Sequence, residues 1–307
     1  VVLDDWSDAH AHVTRLFDDA PQGIAEITTD GRIILGNASL AAKFGCAQDD
    51  LEGRAFESFS PRYAADFREH LEAVLRASPD RVVSEWCLSE EDGDEVTLLL
   101  TSRMLPEKRT CGDTILIHVV DISERRQFES RLEYLANHDS LTGLANRRHF
   151  DQQLTDHMES FRRQGPDAAL VILDLDHFKE VNDTFGHASG DLLLEGIGRR
   201  LRETVRSTDF VARIGGDEFA AIMPGADEEA AERVASDLIT GIRQHAVELD
   251  GDFRGVTASA GVVTLSTATK MNADPLVLAD MLMFDAKESS RDAVVMLDTD
   301  TGRQLRM

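Results

Sequence analysis

The texture of the chain changes at Asn137, and that change sets the architecture. Before it, short β-prone runs are separated by turns and small helices. After it, apolar strand-length runs alternate with helical ones. Two textures require two cores, and 307 residues are enough to build both.

Residues 8–122 read as the first unit. Residues 23–28 are β-prone, and Asp30-Gly31 turns the chain into a second strand at 32–35. A short helix is expected over 37–44 and a longer one over 61–77, with Phe67, Leu71, Val74 and Leu75 on one face. Strands at 82–88 and 95–104 flank Asp92-Gly93-Asp94, and a last strand, 114–120, ends at Asp121. Strands, small helices and an antiparallel meander make an α+β arrangement. Residues 123–137 follow as a linker helix with Ser123 as its cap, and Ile122, Phe128, Leu132 and Leu135 near one stripe. That stripe suits a parallel two-stranded coil. Residues 138–299 form the second unit, with strands at 168–174, 211–213, 218–223 and 255–263. Helices are expected from Asp191 and over 227–244 and 275–289, around a central sheet.

Composition narrows the partners. Lys and Arg total 32 against 57 Asp and Glu, a net charge of -25 that repels nucleic acid and anionic membrane surfaces. Cys46, Cys87 and Cys111 are scattered and form no CxxC pair, which fits a reducing compartment rather than a disulfide framework or a zinc site. No apolar run is long enough to span a bilayer. The start, Val-Val-Leu-Asp-Asp-Trp, lacks the regions of a signal peptide, so the expected compartment is the cytoplasm, with no membrane segment in this chain.

Four clusters carry chemistry. Leu173-Asp174-Leu175-Asp176 closes an apolar strand. Alternation puts Asp174 and Asp176 on one face, where two carboxylates repel unless a cation sits between them, and oxygen ligands of this kind suit Mg²⁺. The run His177-Phe178-Lys179-Glu180-Val181-Asn182-Asp183 then opens a helical turn whose free amides can hold phosphate, with Lys179 adding charge. Asp191 can accept paired guanine N–H donors with Asn182 beside it, or can cap the helix that follows; His187 reads as a turn residue. Third, Gly215-Gly216 is a tight hairpin followed by Asp217 and Glu218, of which alternation places one on the face of Asp174. Fourth, Lys287 and Arg291 sit four apart on an expected helix and reach one side.

Taken together, these pieces resemble the GGDEF family of diguanylate cyclases. The resemblance rests on Asp139-Ser140-Leu141-Thr142-Gly143-Leu144-Ala145-Asn146-Arg147, then residues 174–191, 215–219 and 279–291, in that order. The first unit resembles a PAS sensor through Asp30-Gly31-Arg32, Asn37 and the closing Asp121-Ile122-Ser123-Glu124-Arg125-Arg126. The resemblance implies an α+β protein: a PAS domain, a linker helix, and a palm-like nucleotidyl cyclase domain with a central sheet flanked by helices. It implies two GTP condensed to cyclic di-GMP by a homodimer using Mg²⁺ or Mn²⁺, with an unknown PAS ligand. Asp174, the Leu175 carbonyl, Asp217 and Glu218 match metal ligands, and Asp217 and Glu218 also the catalytic acids. His177, Phe178, Lys179, Asn182, His187, Asp191, Lys287 and Arg291 match substrate contacts. Arg206 and Asp209, with five residues between Asp209 and Gly215, match an RxxD site for inhibition by cyclic di-GMP. Phe284 stands where tyrosine is frequent, and Ser290 and Asp292 where glycine and asparagine are frequent. A GGDEF domain that binds nucleotide without turning it over is the alternative. His70, alone on its helix, reads as a packing or surface residue rather than a haem ligand.

Overall fold

The computed structural model describes residues 11–77, 80–89, 95–105, 112–249, 252–297 and 304–306; Val1 to Trp6, Asp92 to Asp94 and Cys111 lie outside them. The chain divides into two compact units, with the division between Ser130 and Arg131.

In the first unit a helix at residues 11–18 (α1) precedes β1 (Gly23–Thr28) and β2 (Ile33–Gly36). Then come α2 (Ala38–Lys43), α3 (Ala64–Ala77), β3 (Val82–Ser89), β4 (Glu95–Leu105) and β5 (Thr114–Asp121). The five strands form one antiparallel sheet, ordered β2-β1-β5-β4-β3. Gly31 makes the expected hairpin at φ 88°, a conformation that costs glycine little. Asn37 caps α2 by accepting from the Leu40 amide at 3.0 Å. Its amide nitrogen also donates to the Phe17 and Gln22 carbonyls, so one fully buried side chain ties three segments together. Ile27, Phe56, Phe67, Trp86, Leu98 and Ile117 fill the core between helix α3 and the sheet. On α3, Phe67, Leu71 and Val74 are buried as expected, each contributing about 1.5–3 kcal/mol. Leu75 is 41% exposed and does not belong to that face. His70 is buried, which bears out the packing reading.

The helix α4 (Ser123–Asn137) carries no buried residue. Ser123 does not cap it as expected. Its hydroxyl accepts from the Thr97 amide at 2.9 Å, while the Asp121 carboxylate accepts from the Ser123 amide at 2.8 Å. Arg126, in the place where a capping acid would stand, pairs with Glu85.

The second unit runs α5 (Arg147–Arg162), β6 (Ala168–Leu175), α6 (Phe178–Phe185), α7 (His187–Thr204), β7 (Phe210–Arg213), β8 (Glu218–Pro224) and α8 (Glu228–Arg243). It ends with β9 (Ala246–Leu249), β10 (Asp252–Gly255), β11 (Ala258–Thr264), α9 (Leu265–Lys270), α10 (Pro275–Ser289), β12 (Val294–Leu297) and β13 (Gln304–Arg306). Six strands make a mixed sheet ordered β13-β12-β11-β6-β8-β7, with β11 and β12 parallel. Every residue of β6 is buried, because helices cover both faces. Ala169, Val171, Leu173 and Leu175 point to the α7 and α8 side, and Ala168, Leu170 and Ile172 to the α5 and α10 side. Gly261 on β11 lies directly under α10: a Cβ there would strike the Ala279 carbonyl and the Met283 amide. The strand expected at 255–263 is two strands, since β10 pairs with β9 in a separate hairpin and β11 starts afresh at Ala258.

Candidate active site at the end of the central strand

Strand β6 delivers Asp174 at its penultimate position, on the face that looks toward α10. In register, Asp174 lies opposite Glu218 on β8 and Ser259 on β11. Directly opposed residues share a face, so Glu218 stands on the side of Asp174. Asp217, one residue earlier, is tied alongside by its carbonyl, which accepts from the Leu175 amide at 3.1 Å. Both acids therefore act on Asp174, where alternation alone admitted one. The lysine of α10 completes the cluster: Lys287 Nζ sits 2.6 Å from Asp174 Oδ1. Burial pushes the Asp174 carboxyl up to about 6. Lys287 opposes the rise, while the charges of Asp217 and Glu218 add to it.

The hairpin carrying Asp217 is held from outside. Ile214 and Gly215 both donate backbone N–H groups to the Glu218 carbonyl, closing the turn. The Arg213 guanidinium donates to the Gly216 carbonyl at 2.7 Å and to Asp139 Oδ1 at 3.1 Å. Asp139 accepts in addition from the Thr142 amide and hydroxyl. Burial works against the Asp139 charge, but the bonds from Thr142 and Arg213 outweigh it and hold the carboxyl below its usual range. The sequence places Arg213 two residues before the glycine pair but assigns it no role.

Asp176 does not join Asp174. Strand β6 stops at Leu175, so alternation no longer applies beyond it. The Asp176 carboxylate is 3% exposed and accepts from Thr257 Oγ1 at 2.6 Å, Ser259 Oγ at 2.8 Å and the Asp292 amide at 3.1 Å. It is a fully satisfied structural acid that anchors the chain leaving α10. Arg291 is likewise off the helix. Helix α10 ends at Ser289, and Arg291 and Asp292 both take positive φ, 53° and 49°, reversing the chain. Lys287 and Arg291 thus do not share a helix face.

After β6, His177 sits at φ 58° and its Nδ1 lies 2.6 Å from Glu180 Oε1. The amides of Phe178 and Lys179 open α6, where first-turn N–H groups have no acceptor within the helix. Asn182 on α6 faces α7, and Gly190 makes room for it: a Cβ on Gly190 would overlap Asn182 Oδ1. Asp191 follows on α7, exposed, as are His187 and Lys179. The helix begins at His187, so Asp191 is not its cap, and that reading of the residue falls away. Arg206 and Asp209 lie in the turn between α7 and β7, away from this cluster in the chain, with the Arg206 amide donating to Asp209 Oδ2 at 3.0 Å.

The residues present fit a divalent cation. Asp174 pairs with Lys287, the charges of Asp217 and Glu218 reach it, and burial resists its own charge. Among the described residues no three His, Cys, Asp or Glu side chains close a metal cage by themselves. An open site with a few carboxylates is what Mg²⁺ uses when substrate oxygens and water supply the remaining ligands.

The fold and this cluster define a class: a small sensor-type unit joined by a helix to an α+β unit with acids at the end of its central strand. The family model "Diguanylate cyclase, GGDEF domain" matches residues 136–293, and the model "PAS fold" matches residues 17–127. The chain belongs to the diguanylate cyclase (GGDEF domain) family, with a PAS-fold unit ahead of that domain. It is 32% identical over 285 residues to an uncharacterized signaling protein of Caulobacter vibrioides, covering 91% of this chain and 34% of that protein. It is 34% identical over 187 residues to the probable diguanylate cyclase DgcE of Escherichia coli, covering 61% of this chain and 17% of DgcE. Among solved structures, the coiled coil and GGDEF domain of DgcB from Caulobacter crescentus, in complex with c-di-GMP, aligns with a TM-score of 0.52 at 25% identity. It covers 57% of this chain and 93% of that one. The chain thus spans about a third of the Caulobacter vibrioides protein and less of DgcE. Among the described residues no helix is long and apolar enough to cross a membrane.

Proposed function

We propose that the protein condenses two GTP molecules into cyclic di-GMP and pyrophosphate, under control of its PAS unit. The observation that carries this reading is buried Asp174, paired with Lys287 and acted on by the charges of Asp217 and Glu218. Mg²⁺ or Mn²⁺ held by Asp174, Asp217, Glu218 and the Leu175 carbonyl would lower the pKa of the attacking 3′-hydroxyl and neutralise phosphate charge. The protein's own groups do the rest. Amides of His177 and Phe178 and the Lys179 ammonium receive phosphate oxygens. Asn182 and Asp191 read the guanine edge, Asp191 accepting two N–H groups. Lys287 and, from the turn after α10, Arg291 would receive the terminal phosphate oxygens. Asp217 and Glu218 stand where the hydroxyl proton leaves.

The reaction joins two nucleotides symmetrically, so two such sites face each other in a homodimer. The exposed stripe of Phe128, Leu132 and Leu135 on α4 supports parallel pairing of the linker helices. Arg206 and Asp209 take the product and arrest the enzyme. Incubating the purified protein with GTP and Mg²⁺ and identifying the product by mass tests the reading: cyclic di-GMP is expected. Bound GTP that is never converted, across conditions that dimerise the protein, would instead mark a nucleotide-binding regulator.

A further inference from the structure

Helix α10 ends without a glycine. Ser290 and Arg291 both donate backbone N–H groups to the Ala286 carbonyl, and Arg291 and Asp292 then take φ of 53° and 49°. Side chains rarely adopt that region, so two such residues in succession are strained unless their surroundings hold them. Two ties do so. On the inner side, the Asp292 amide donates to buried Asp176 at 3.1 Å, and Thr257 and Ser259 fix that carboxylate in place. On the outer side, Arg243, the last residue of α8, puts its Nε 2.8 Å from Asp292 Oδ2 and 3.0 Å from Oδ1. Asp292 is thus gripped by its backbone from one element and by its side chain from another.

The residue held between these ties and the acid cluster is Arg291. Before it in the chain, Lys287 meets Asp174; directly after it, Asp292 meets Asp176. Asp174 and Asp176 flank Leu175, where β6 ends, so Arg291 is bracketed beside the candidate site. Arg291 is exposed, and its guanidinium has no ion-pair or hydrogen-bond partner among the described residues. Arg243 and Asp176 also line one cavity, of about 640 Å³, with His177, the residue that leads into α6. The Arg243–Asp292 pair is partly exposed and adds little to stability by itself. Its effect is on where the turn sits, and displacing a substrate-holding group by about 1 Å can cost on the order of 100-fold.

We infer that Arg243 and Asp292 are positioning residues for the third phosphate of the substrate. Arg243 holds Asp292 against Asp176, the turn keeps its reversed course, and Arg291 stays aimed at the terminal phosphate. The pair thereby sets the preference for a nucleoside triphosphate over the diphosphate. This rests on the reading of Arg291 as a terminal-phosphate contact, and deepens it.

Titration calorimetry of the whole protein with 3′-deoxy-GTP and 3′-deoxy-GDP, in Mg²⁺, tests the inference. Neither nucleotide carries the attacking hydroxyl, so binding is read without turnover. Wild type is expected to prefer the triphosphate, and Arg291→Ala should lower that preference tenfold or more. Arg243→Met replaces an exposed side chain, so the fold survives it. It should lower the preference threefold or more and leave diphosphate affinity within twofold of wild type. Combined with Arg291→Ala, it should cause no further loss. Arg243→Lys, which keeps the charge, should recover part of the effect, and Asp292→Asn should repeat it from the other end of the pair. Wild-type preference in both Arg243→Met and Asp292→Asn overturns the positioning role while leaving Arg291 as the contact. Equal weakening of both nucleotides, or independent losses in the double variant, has the same meaning. An unchanged preference in Arg291→Ala removes the underlying reading as well.

Discussion

Each unit of this protein buries a titratable side chain, His70 in the first and Asp174 in the second, and the two are treated in opposite ways. In the sensor unit, His70 is 4% exposed, and both ring nitrogens are within 2.7 Å of a hydroxyl, Ser102 on one side and Ser84 on the other. Burial holds its pKa below the ordinary value, so it stays neutral and satisfied. In the output unit, Asp174 is 7% exposed, touches one cation, and faces two further acids. A buried group whose bonding is complete is part of the scaffold; one whose surroundings conflict with its charge is poised to act on something else. Asp176 sharpens the contrast, since it is as buried as Asp174, two residues away, and fully bonded.

The largest expected effect comes from removing the conflict. Asp174→Asn keeps shape and loses charge, and cyclic di-GMP formation should fall below about 1% of wild type as a cation ligand disappears. In metal-free buffer at pH 8 the same variant should melt at or above the wild-type temperature, because a disfavoured charge has gone. A clear loss of thermal stability would place Asp174 with Asp176 among the structural acids and break the comparison.

Next in size is the mirror experiment on His70. His70→Leu strands the hydroxyls of Ser84 and Ser102, both hydrogen-bonded to the ring in the native protein. Two lost partners should cost about 2–4 kcal/mol of sensor-unit stability. Trp86 is 2% exposed in that core, so its fluorescence during urea unfolding, in a Trp6→Phe background, reports the loss. An unchanged midpoint would mean that the histidine is not the satisfied scaffold group described.

The two sites should also answer pH with opposite signs. His70 has a pKa below its ordinary 6.5, so the unfolded chain binds the proton more readily. Its contribution is present above about 6.5 and is lost as pH falls through the lower folded value. Asp174 is raised from 3.8 to about 6, so its contribution is full below 3.8 and is lost as pH rises through about 6. A cation competes with that proton. Mg²⁺ should therefore raise the melting temperature of the output unit more at pH 8 than at pH 5.5, by the linkage of ligand binding to stability. Equal Mg²⁺ shifts at both values would detach the cation from Asp174.

How far the sequence foretold these sites follows from where local rules stop. Helix α10 was legible to the residue, because Asp274 and Pro275 open it and an apolar stripe sustains it. The PAS-fold meander was legible for the same reason, alternation and turns being local. Asp176 was misread because alternation holds only inside a strand, and nothing in Leu-Asp-Leu-Asp marks β6 as ending at Leu175. Arg291 was misread because the chain reverses through two non-glycine residues at positive φ, which no propensity announces. Asp191 looked like a cap because the true start of α7 uses Gly186, with no side-chain cap. Helix α5 was passed over although its signal was there: Asn146 caps it, and Phe150 and Leu154 recur at helical spacing. Contacts between distant segments, such as Lys287 on Asp174, follow from packing and had no local signature.

The smallest predicted effect tests whether His70 is held by its two partners or by packing alone. Ser84→Ala removes one hydroxyl and leaves Ser102 bonded to the other ring nitrogen. If the ring depends on both partners, the sensor unit should lose about 1 kcal/mol. Nδ1 of the buried ring loses the hydroxyl it is bonded to, so acidification should destabilise this variant from a lower stability but with the same sign as wild type. Lys287→Met makes the matched change in the output unit. It strips Asp174 of the one group that favours its charge, and the midpoint of the Mg²⁺-dependent stabilisation should move to higher pH. A shift in the opposite direction for Lys287→Met, or none for either variant, would show that neither buried group is governed by its immediate partners.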